Sequence, residues 1–207
     1  MDKLLEGLKK FQTLIYPLHQ TRFEELAESQ EPRVLFITCS DSRVDPNLLT
    51  QTDPGELFIC RNAGNIVPPH SNETGGMTAS IEYAVSVLNI KNIIICGHSN
   101  CGAMKAAMNT EELNDLPHVK TWLGHCRAAV KSVENQHDCN QHGTLDPAYL
   151  DEVTKQNIIL QMQHIKTHPA VFAKLATNEL NIYGWVYDIK SGNVEYYDEA
   201  SHGFVKL

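Results

Sequence analysis

The sequence lacks a long hydrophobic run and has little positive charge. No apolar stretch approaches the ~18 residues that a membrane-spanning helix needs. Seventeen Lys and Arg residues stand against 25 Asp and Glu residues, which gives a formal net charge of −8. A chain with this charge balance offers no basic surface to a phosphate backbone or to an anionic lipid. We therefore expect neither nucleic acid nor a membrane as a partner.

Cysteine is also scarce, and the signs of a disordered or fibrous chain are missing. Six cysteines in 207 residues are too few and too irregularly spaced for a disulfide scaffold. With 42% hydrophobic residues and no biased tract, the composition is that of an ordinary globular chain. Lys9 and Lys10 stand where a signal peptide needs its apolar centre. We expect a cytoplasmic protein with free thiols, folded as one domain over residues 1–207.

Strand and helix patterns alternate in the first half of the chain. Apolar residues at helical spacing precede Pro17 and predict a helical arm over residues 1–28. Three short apolar runs then follow that are typical of buried parallel strands. These runs cover residues 33–38, 56–60 and 92–96.

Helix-start signals separate the three runs. Asp45-Pro46 is typical of an N-cap followed by proline at the first helical position, and Gly75-Gly76 precedes an apolar-periodic segment. The second half is mainly helical and ends in a predicted hairpin at residues 180–189 and 194–197. The pattern predicts an α/β fold: an open, mostly parallel sheet of about four strands plus a C-terminal edge strand, flanked by helices. Such sheets bind ligands beyond the carboxyl ends of their strands.

Thiol and imidazole side chains follow two of these strand ends. Cys39 comes directly after the first run, and His98 and Cys101 follow the third. Two cysteines and one histidine form a soft tetrahedral donor set that is typical of zinc, and three protein ligands leave a position for water or substrate. The alternative is a small strand-end cysteine next to a loop pair that binds no metal.

Two charged residues share the loop of the first cysteine. Arg43 is placed to keep Asp41 ionised, and an ionised Asp41 accepts a proton from metal-bound water or itself takes the fourth metal position. The alternative is a structural salt bridge at a strand end. We also expect Cys101 to lie in the first turn of a helix through Ala107, where the helix dipole lowers the pKa of a thiol.

The remaining thiols have weaker signals. Cys60, Cys96 and Cys126 stand in apolar patterns and are predicted to be inert core residues. A polar loop carries a second group of metal-binding residue types, and it is either a second metal patch or a solvated loop. That group consists of His137, Cys139 and His142.

The two strand-end motifs together resemble the β-class carbonic anhydrases. The resemblance rests on Cys39-x-Asp41-x-Arg43 followed by His98-x-x-Cys101. It extends over nearly the whole chain through three further segments. These are Arg61-Asn62-Ala63-Gly64-Asn65, Ile81-Glu82-Tyr83-Ala84 and Tyr183-Gly184-Trp185.

The resemblance implies reversible hydration of CO₂ to bicarbonate and a proton, by attack of a zinc-bound hydroxide with one Zn²⁺ per subunit. It implies that Cys39, His98 and Cys101 bind the zinc and that Asp41 and Arg43 form the catalytic dyad. Two other functions remain open. One is a zinc-binding redox or regulatory module without hydratase activity, and the other is a relative that hydrolyses CS₂ or COS.

The resemblance also implies a substrate pocket built by two subunits. Gly102 stands beside the metal, and Gln30, Phe58 and Tyr83 match residues that contact substrate in the family. The equivalents of those last three reach the site across a subunit interface. A homodimer, or a dimer of dimers, with active sites at the interface is therefore implied.

Overall fold

One mixed sheet of six strands forms the centre of the structure, a computed structural model that describes residues 1–72, 74–137 and 145–207. The strands lie in the order β2-β1-β3-β4-β5-β6. Strands β2, β1, β3 and β4 are parallel to one another, and β5 and β6 extend the sheet beyond β4 in antiparallel pairs. Their bounds are β1 Val34–Cys39, β2 Leu57–Asn62, β3 Asn92–His98, β4 Asn181–Tyr187, β5 Val194–Asp198 and β6 Gly203–Lys206. The predicted α/β class is confirmed, and β6 extends the expected edge by one further strand.

Helices and short helical turns connect the strands. The α-helices are α1 Asp2–Lys10, α2 Tyr16–Leu18, α3 Gln20–Glu28, α4 Pro46–Thr50, α5 Gly76–Glu82, α6 Gly102–Met108, α7 Pro117–Leu123, α8 Arg127–Glu134, α9 Leu150–Lys166 and α10 Pro169–Ala176. Asp45 caps α4 as predicted, because its side chain accepts a hydrogen bond from the Leu48 amide at 3.2 Å. Within the described ranges, no helix is both long enough and apolar enough to span a bilayer.

The first three helices form the predicted N-terminal arm. Helical geometry continues through Pro17, because a π-helical turn at Phe11–Ile15 leads directly into α2, where proline occupies the first turn. None of the residues of α1, α2 or α3 is buried. Apolar side chains on this arm remain largely exposed, Leu4 by 67% and Leu18 by 78%. Apolar surface of this kind is typical of a site that contacts another protein.

The first and third apolar runs become buried strands, β1 and β3, because both faces of the sheet are covered there. The second run, expected to be buried as well, becomes the edge strand β2, in which only Cys60 is buried. Leu35 and Ile37 point into a core shared with α5, α9 and α10, whereas Phe36 packs on the opposite face. Helix α9 lies close against β3, and a Cβ atom at Gly97 would stand 2.8 Å from Ile158 Cδ1. Glycine at position 97 therefore permits the close packing next to the end of β3.

The order of the strands determines where a site can form. Strand β1 pairs with β2 on one side and with β3 on the other. The connections from β1 to β2 and from β2 to β3 therefore run in opposite directions across the sheet, which makes the end of β1 a topological switch point. In open α/β sheets, the crevice outside the carboxyl ends of the strands at such a reversal is the usual ligand site. Cys39 and His98 are the last residues of β1 and β3. The fold therefore places both at this crevice.

Candidate metal centre and active site

Three predicted ligands lie together at the crevice between β1 and β3. One potential ligand atom of each of Cys39, His98 and Cys101 lies within 4.8 Å of the others. The two sulfur atoms are 4.0 Å apart. All three residues are buried, with at most 5% of their surface exposed.

These three residues fit a zinc ion. Two thiolates bound tetrahedrally at about 2.3 Å from zinc lie roughly 3.8 Å apart, close to the 4.0 Å between the sulfurs of Cys39 and Cys101. His98 is oriented for the same role. Its Nδ1 lies 3.0 Å from the Ser99 carbonyl oxygen, and because a carbonyl only accepts, Nδ1 carries the proton and Nε2 keeps its lone pair. A backbone partner of this kind is typical of metal-binding histidines.

The Nε2 atom of His98 has no hydrogen-bond partner. It is one of two buried side-chain polar atoms without a partner in the described residues. Burying an imidazole nitrogen without a partner is unfavourable. A metal ion bound at Nε2 would supply the missing partner.

A hydrogen bond between the two buried thiols couples the pKa values of Cys39 and Cys101. The pKa of Cys39 is lowered to about 4, chiefly because the Cys101 thiol donates a hydrogen bond to its sulfur. The same bond, together with burial, raises the pKa of Cys101. Cys101 is the N-cap of α6, and the amides of Ala103 and Met104 lower its pKa as expected, but the contact with Cys39 and burial outweigh them and raise it. Zinc binding by both thiolates would release the proton that Cys101 carries.

Asp41 and Arg43 form a two-point ion pair beside the thiols. The Arg43 Nε donates to Asp41 Oδ1 at 2.9 Å, and Nη2 donates to Oδ2 at 2.7 Å. These hydrogen bonds hold the pKa of Asp41 well below its usual range. Asp41 Oδ2 lies 3.8 Å from His98 Nε2, so the carboxylate faces the metal-binding atoms. It is ionised at neutral pH and available to accept a hydrogen bond.

Arg61 binds the loop that carries these residues, a role that the sequence analysis does not assign. Its Nε donates to the Cys39 carbonyl oxygen at 3.0 Å, and its Nη2 donates to the Asp41 carbonyl oxygen at 2.7 Å. Arg43 is tied to the other loop, because its Nη2 also donates to the Asn100 carbonyl oxygen at 3.1 Å. The sequence signal for Arg61 is its position at the carboxyl end of a parallel strand, β2, which lies beside β1.

The loop after β2 reaches the first cysteine. The Gly64 amide donates to the Cys39 sulfur at 3.4 Å. Gly64 has a φ of +84°, and a Cβ there would meet Met104 Cε at 2.8 Å. The Asn62 side chain closes the loop by pairing with both backbone groups of Ile66, at 2.7 and 2.8 Å. The backbone of this loop thus contributes a hydrogen bond to the thiolate.

The predicted pocket residues separate into two groups. Gly102 is exposed directly after Cys101, at the start of α6. Gln30 is exposed beyond α3, and Phe58 and Tyr83 pack with their ring centroids 6.1 Å apart. Phe58 stands four residues before the end of β2, which is about 13 Å along the strand from the crevice. Within one chain, Phe58 and Tyr83 therefore lie away from the metal-binding residues.

The other cysteines within the described ranges have the environments of inert thiols. Cys60, Cys96 and Cys126 are buried and free. Burial raises the pKa of Cys96 and of Cys126 to about 12.

Of the residues proposed as a second metal patch, the structure describes only His137. His137 Nε2 lies 2.9 Å from the Glu152 carboxylate, so this imidazole already has an acidic partner. Its two companions in the patch, Cys139 and His142, lie outside the described residues.

An α/β sheet that brings a Cys-His-Cys donor set and an Asp–Arg pair to its switch point has the architecture of a metalloenzyme. Comparison with known proteins defines the family. The sequence profile of the carbonic anhydrase family matches residues 34–194. A carbonic anhydrase of Pseudomonas aeruginosa is 46% identical over 207 residues, covering 100% of this chain and 92% of that protein.

Solved structures give the same result. The β-carbonic anhydrase CcaA superimposes with a TM-score of 0.93 at 42% identity, covering 100% of this chain and 92% of that one. A tetrameric β-carbonic anhydrase of Sordaria macrospora superimposes with a TM-score of 0.74 at 28% identity, covering 94% and 92%. The chain belongs to the β-class carbonic anhydrase family, whose members are zinc enzymes that hydrate CO₂.

Proposed function

We propose that the protein catalyses the reversible hydration of CO₂ to bicarbonate and a proton at a zinc ion held by Cys39, His98 and Cys101, one ion per subunit. The observation that carries this proposal is the convergence of those three ligand atoms within 4.8 Å at the switch point of the sheet. Bound there, zinc would act as a Lewis acid that lowers the pKa of water, so that water loses a proton and hydroxide becomes available to attack CO₂.

The residues around the metal position the reactants. Asp41, held ionised by Arg43, accepts a hydrogen bond from the reacting water and fixes its orientation toward CO₂. Arg43 joins the loop of Cys39 to the loop of Cys101 through its bond to the Asn100 carbonyl oxygen, and Arg61 holds the loop of Cys39 to the end of β2. The space beside Gly102 is open to substrate, because even a Cβ at that position would meet no atom within 4 Å.

The active unit in this proposal is a homodimer, or a dimer of dimers. Gln30, Phe58 and Tyr83 complete the substrate pocket of the neighbouring subunit, with Gln30 donating to a substrate oxygen. Two observations support this arrangement. Phe58 stands about 13 Å along its strand from the crevice of its own chain, and the N-terminal arm exposes apolar side chains that a second copy would cover. We propose a cytoplasmic location, which agrees with the free thiols of the described cysteines.

Stopped-flow measurement of CO₂ hydration with a pH indicator tests the proposal on the zinc-loaded protein. Cys39→Ala, His98→Ala and Cys101→Ala are each expected to lose zinc and activity together, because removing one of three ligands leaves an incomplete site. Cys126→Ala is the matched control, since it removes a buried thiol outside the crevice. A ligand variant that keeps one zinc per subunit and full turnover would contradict the assignment.

Two other results would support the rival functions. A wild-type protein that binds zinc but does not hydrate CO₂ would be a regulatory or redox module. Activity toward CS₂ or COS without activity toward CO₂, in the same assay series, would identify a hydrolase that uses the same metal site.

A further inference from the structure

Helix α9 carries a row of polar side chains into the core. Thr154, Asn157 and Gln161 stand at helical spacing and are at most 1% exposed. Polar side chains at such depth are unfavourable unless they are hydrogen-bonded. Their partners therefore show what the row does.

Two members of this row bind the loop that follows β2. The Asn157 amide nitrogen donates to the Gly64 carbonyl oxygen at 3.1 Å. The Gln161 side-chain oxygen accepts from the Val67 amide at 2.9 Å, and its nitrogen donates to Asn157 at 2.8 Å. The two side chains are thus joined to each other and to both ends of the segment from Gly64 to Val67.

The third member does not reach this loop. The Thr154 hydroxyl donates to the Leu150 carbonyl oxygen of its own helix at 2.9 Å. It is as deeply buried as the other two. Thr154 therefore provides an internal reference for a buried polar group on α9 that has no contact with the loop.

The loop needs external support. Gly64 and Asn65 have successive positive φ values of +84° and +47°, and a non-glycine residue in that region is unfavourable. The same segment points the Gly64 amide at the Cys39 sulfur, 3.4 Å away. Hydrogen bonds to a charged acceptor are stronger than neutral ones, and this one is already long at 3.4 Å, so a displacement of the loop away from Cys39 would break it.

We propose that Asn157 and Gln161 are positioning residues of the metal centre. They hold Gly64 so that its amide stabilises the Cys39 thiolate, and they connect the zinc site to α9 although neither side chain is a ligand. This inference rests on the proposed zinc site. Removing residues that support the metal ligands without binding the metal themselves commonly changes metal affinity by 10- to 100-fold.

The test compares Asn157→Ala with Thr154→Val in the full-length protein. Zinc affinity is measured by competition with a chelator, and cobalt(II) replaces zinc for a spectroscopic measurement. Asn157→Ala is expected to weaken zinc binding about 10-fold. It is also expected to move the sulfur-to-cobalt absorption band to lower energy, because a thiolate without its amide partner donates more charge. Thr154→Val is expected to change neither quantity, even if both variants melt at lower temperature.

The outcomes separate this inference from the proposed function. Equal zinc affinities and unshifted cobalt bands in both variants would overturn the positioning role while leaving the zinc enzyme intact. A wild-type protein that binds no zinc would overturn both. If Asn157→Ala does not fold, Asn157→Ser removes the contact with less loss of volume. Hydrogen exchange at the Gly64 amide in that variant should then be faster than in wild type, and an unchanged rate would contradict the proposal.

Discussion

Replacing Gly64 by alanine tests the most constrained backbone position beside the metal centre. A residue with a side chain at a φ of +84° costs about 1–3 kcal/mol. The new Cβ would also stand 3.1 Å from Ala103 Cβ and 2.8 Å from Met104 Cε, and such overpacking costs about 1–3 kcal/mol. The two costs add to about 2–6 kcal/mol. Because the flexible end of Met104 can move away from the new Cβ, we expect a loss in the lower half of that range, about 2–4 kcal/mol, from the free energy of unfolding.

The assay is denaturant unfolding of the zinc-free protein at one fixed protein concentration. Gly124→Ala is the matched control, because Gly124 has a φ of −54° and a Cβ there meets no atom within 4 Å. That change should leave stability equal or raise it by about 0.4–1 kcal/mol. If Gly64→Ala lowers the free energy of unfolding by less than about 0.5 kcal/mol, the reasoning from backbone strain and close contact is refuted.

Three further outcomes are expected. Asp41→Asn should keep its zinc by metal analysis but lose about 10²- to 10⁴-fold in CO₂ hydration; a fully active variant would remove Asp41 from the mechanism. Inactive Gln30→Ala and Asp41→Asn subunits, refolded together, should recover about a quarter of wild-type activity, since half of a random dimer population contains one intact site; an active monomer in sedimentation would contradict the shared site. Burial lowers the pKa of His164 and His168 below 6.5, so the unfolded chain binds more protons as the pH falls through that value and the free energy of unfolding declines. His168→Gln should show a shallower decline between pH 7 and the lowered pKa values. A slope equal to that of the wild type would disprove that the lowered pKa of His168 contributes to the decline.

Local patterns made the sheet and its strand-end residues predictable. Strands β1 and β3 are continuous apolar runs, which buried parallel strands require because helices or side chains cover both faces. Cys39 and His98 follow directly from where those runs end. The start of α4 was equally local, since Asp45 followed by proline is sufficient to begin a helix.

Features that depend on tertiary contacts were not predictable in the same way. Strand β6 has only four residues, so its pattern is too short to separate from a turn. Arg61 and Asn157 act through backbone groups that lie 22 and 93 positions away in the sequence. The raised pKa of Cys101 depends on its contact with Cys39, 62 positions away, and on burial, which together outweigh the amides of the local helix terminus.

The separation of the two cysteines by 62 positions has a consequence for biosynthesis. At about 5–20 residues per second, a ribosome adds Cys101 roughly 3–12 seconds after Cys39. During that interval the nascent chain has one cysteine of the donor set and no third strand to place beside β1. Contacts this distant in sequence form slowly. The complete donor set therefore exists only after β3 and the loop of Cys101 have been made and β3 has paired with β1.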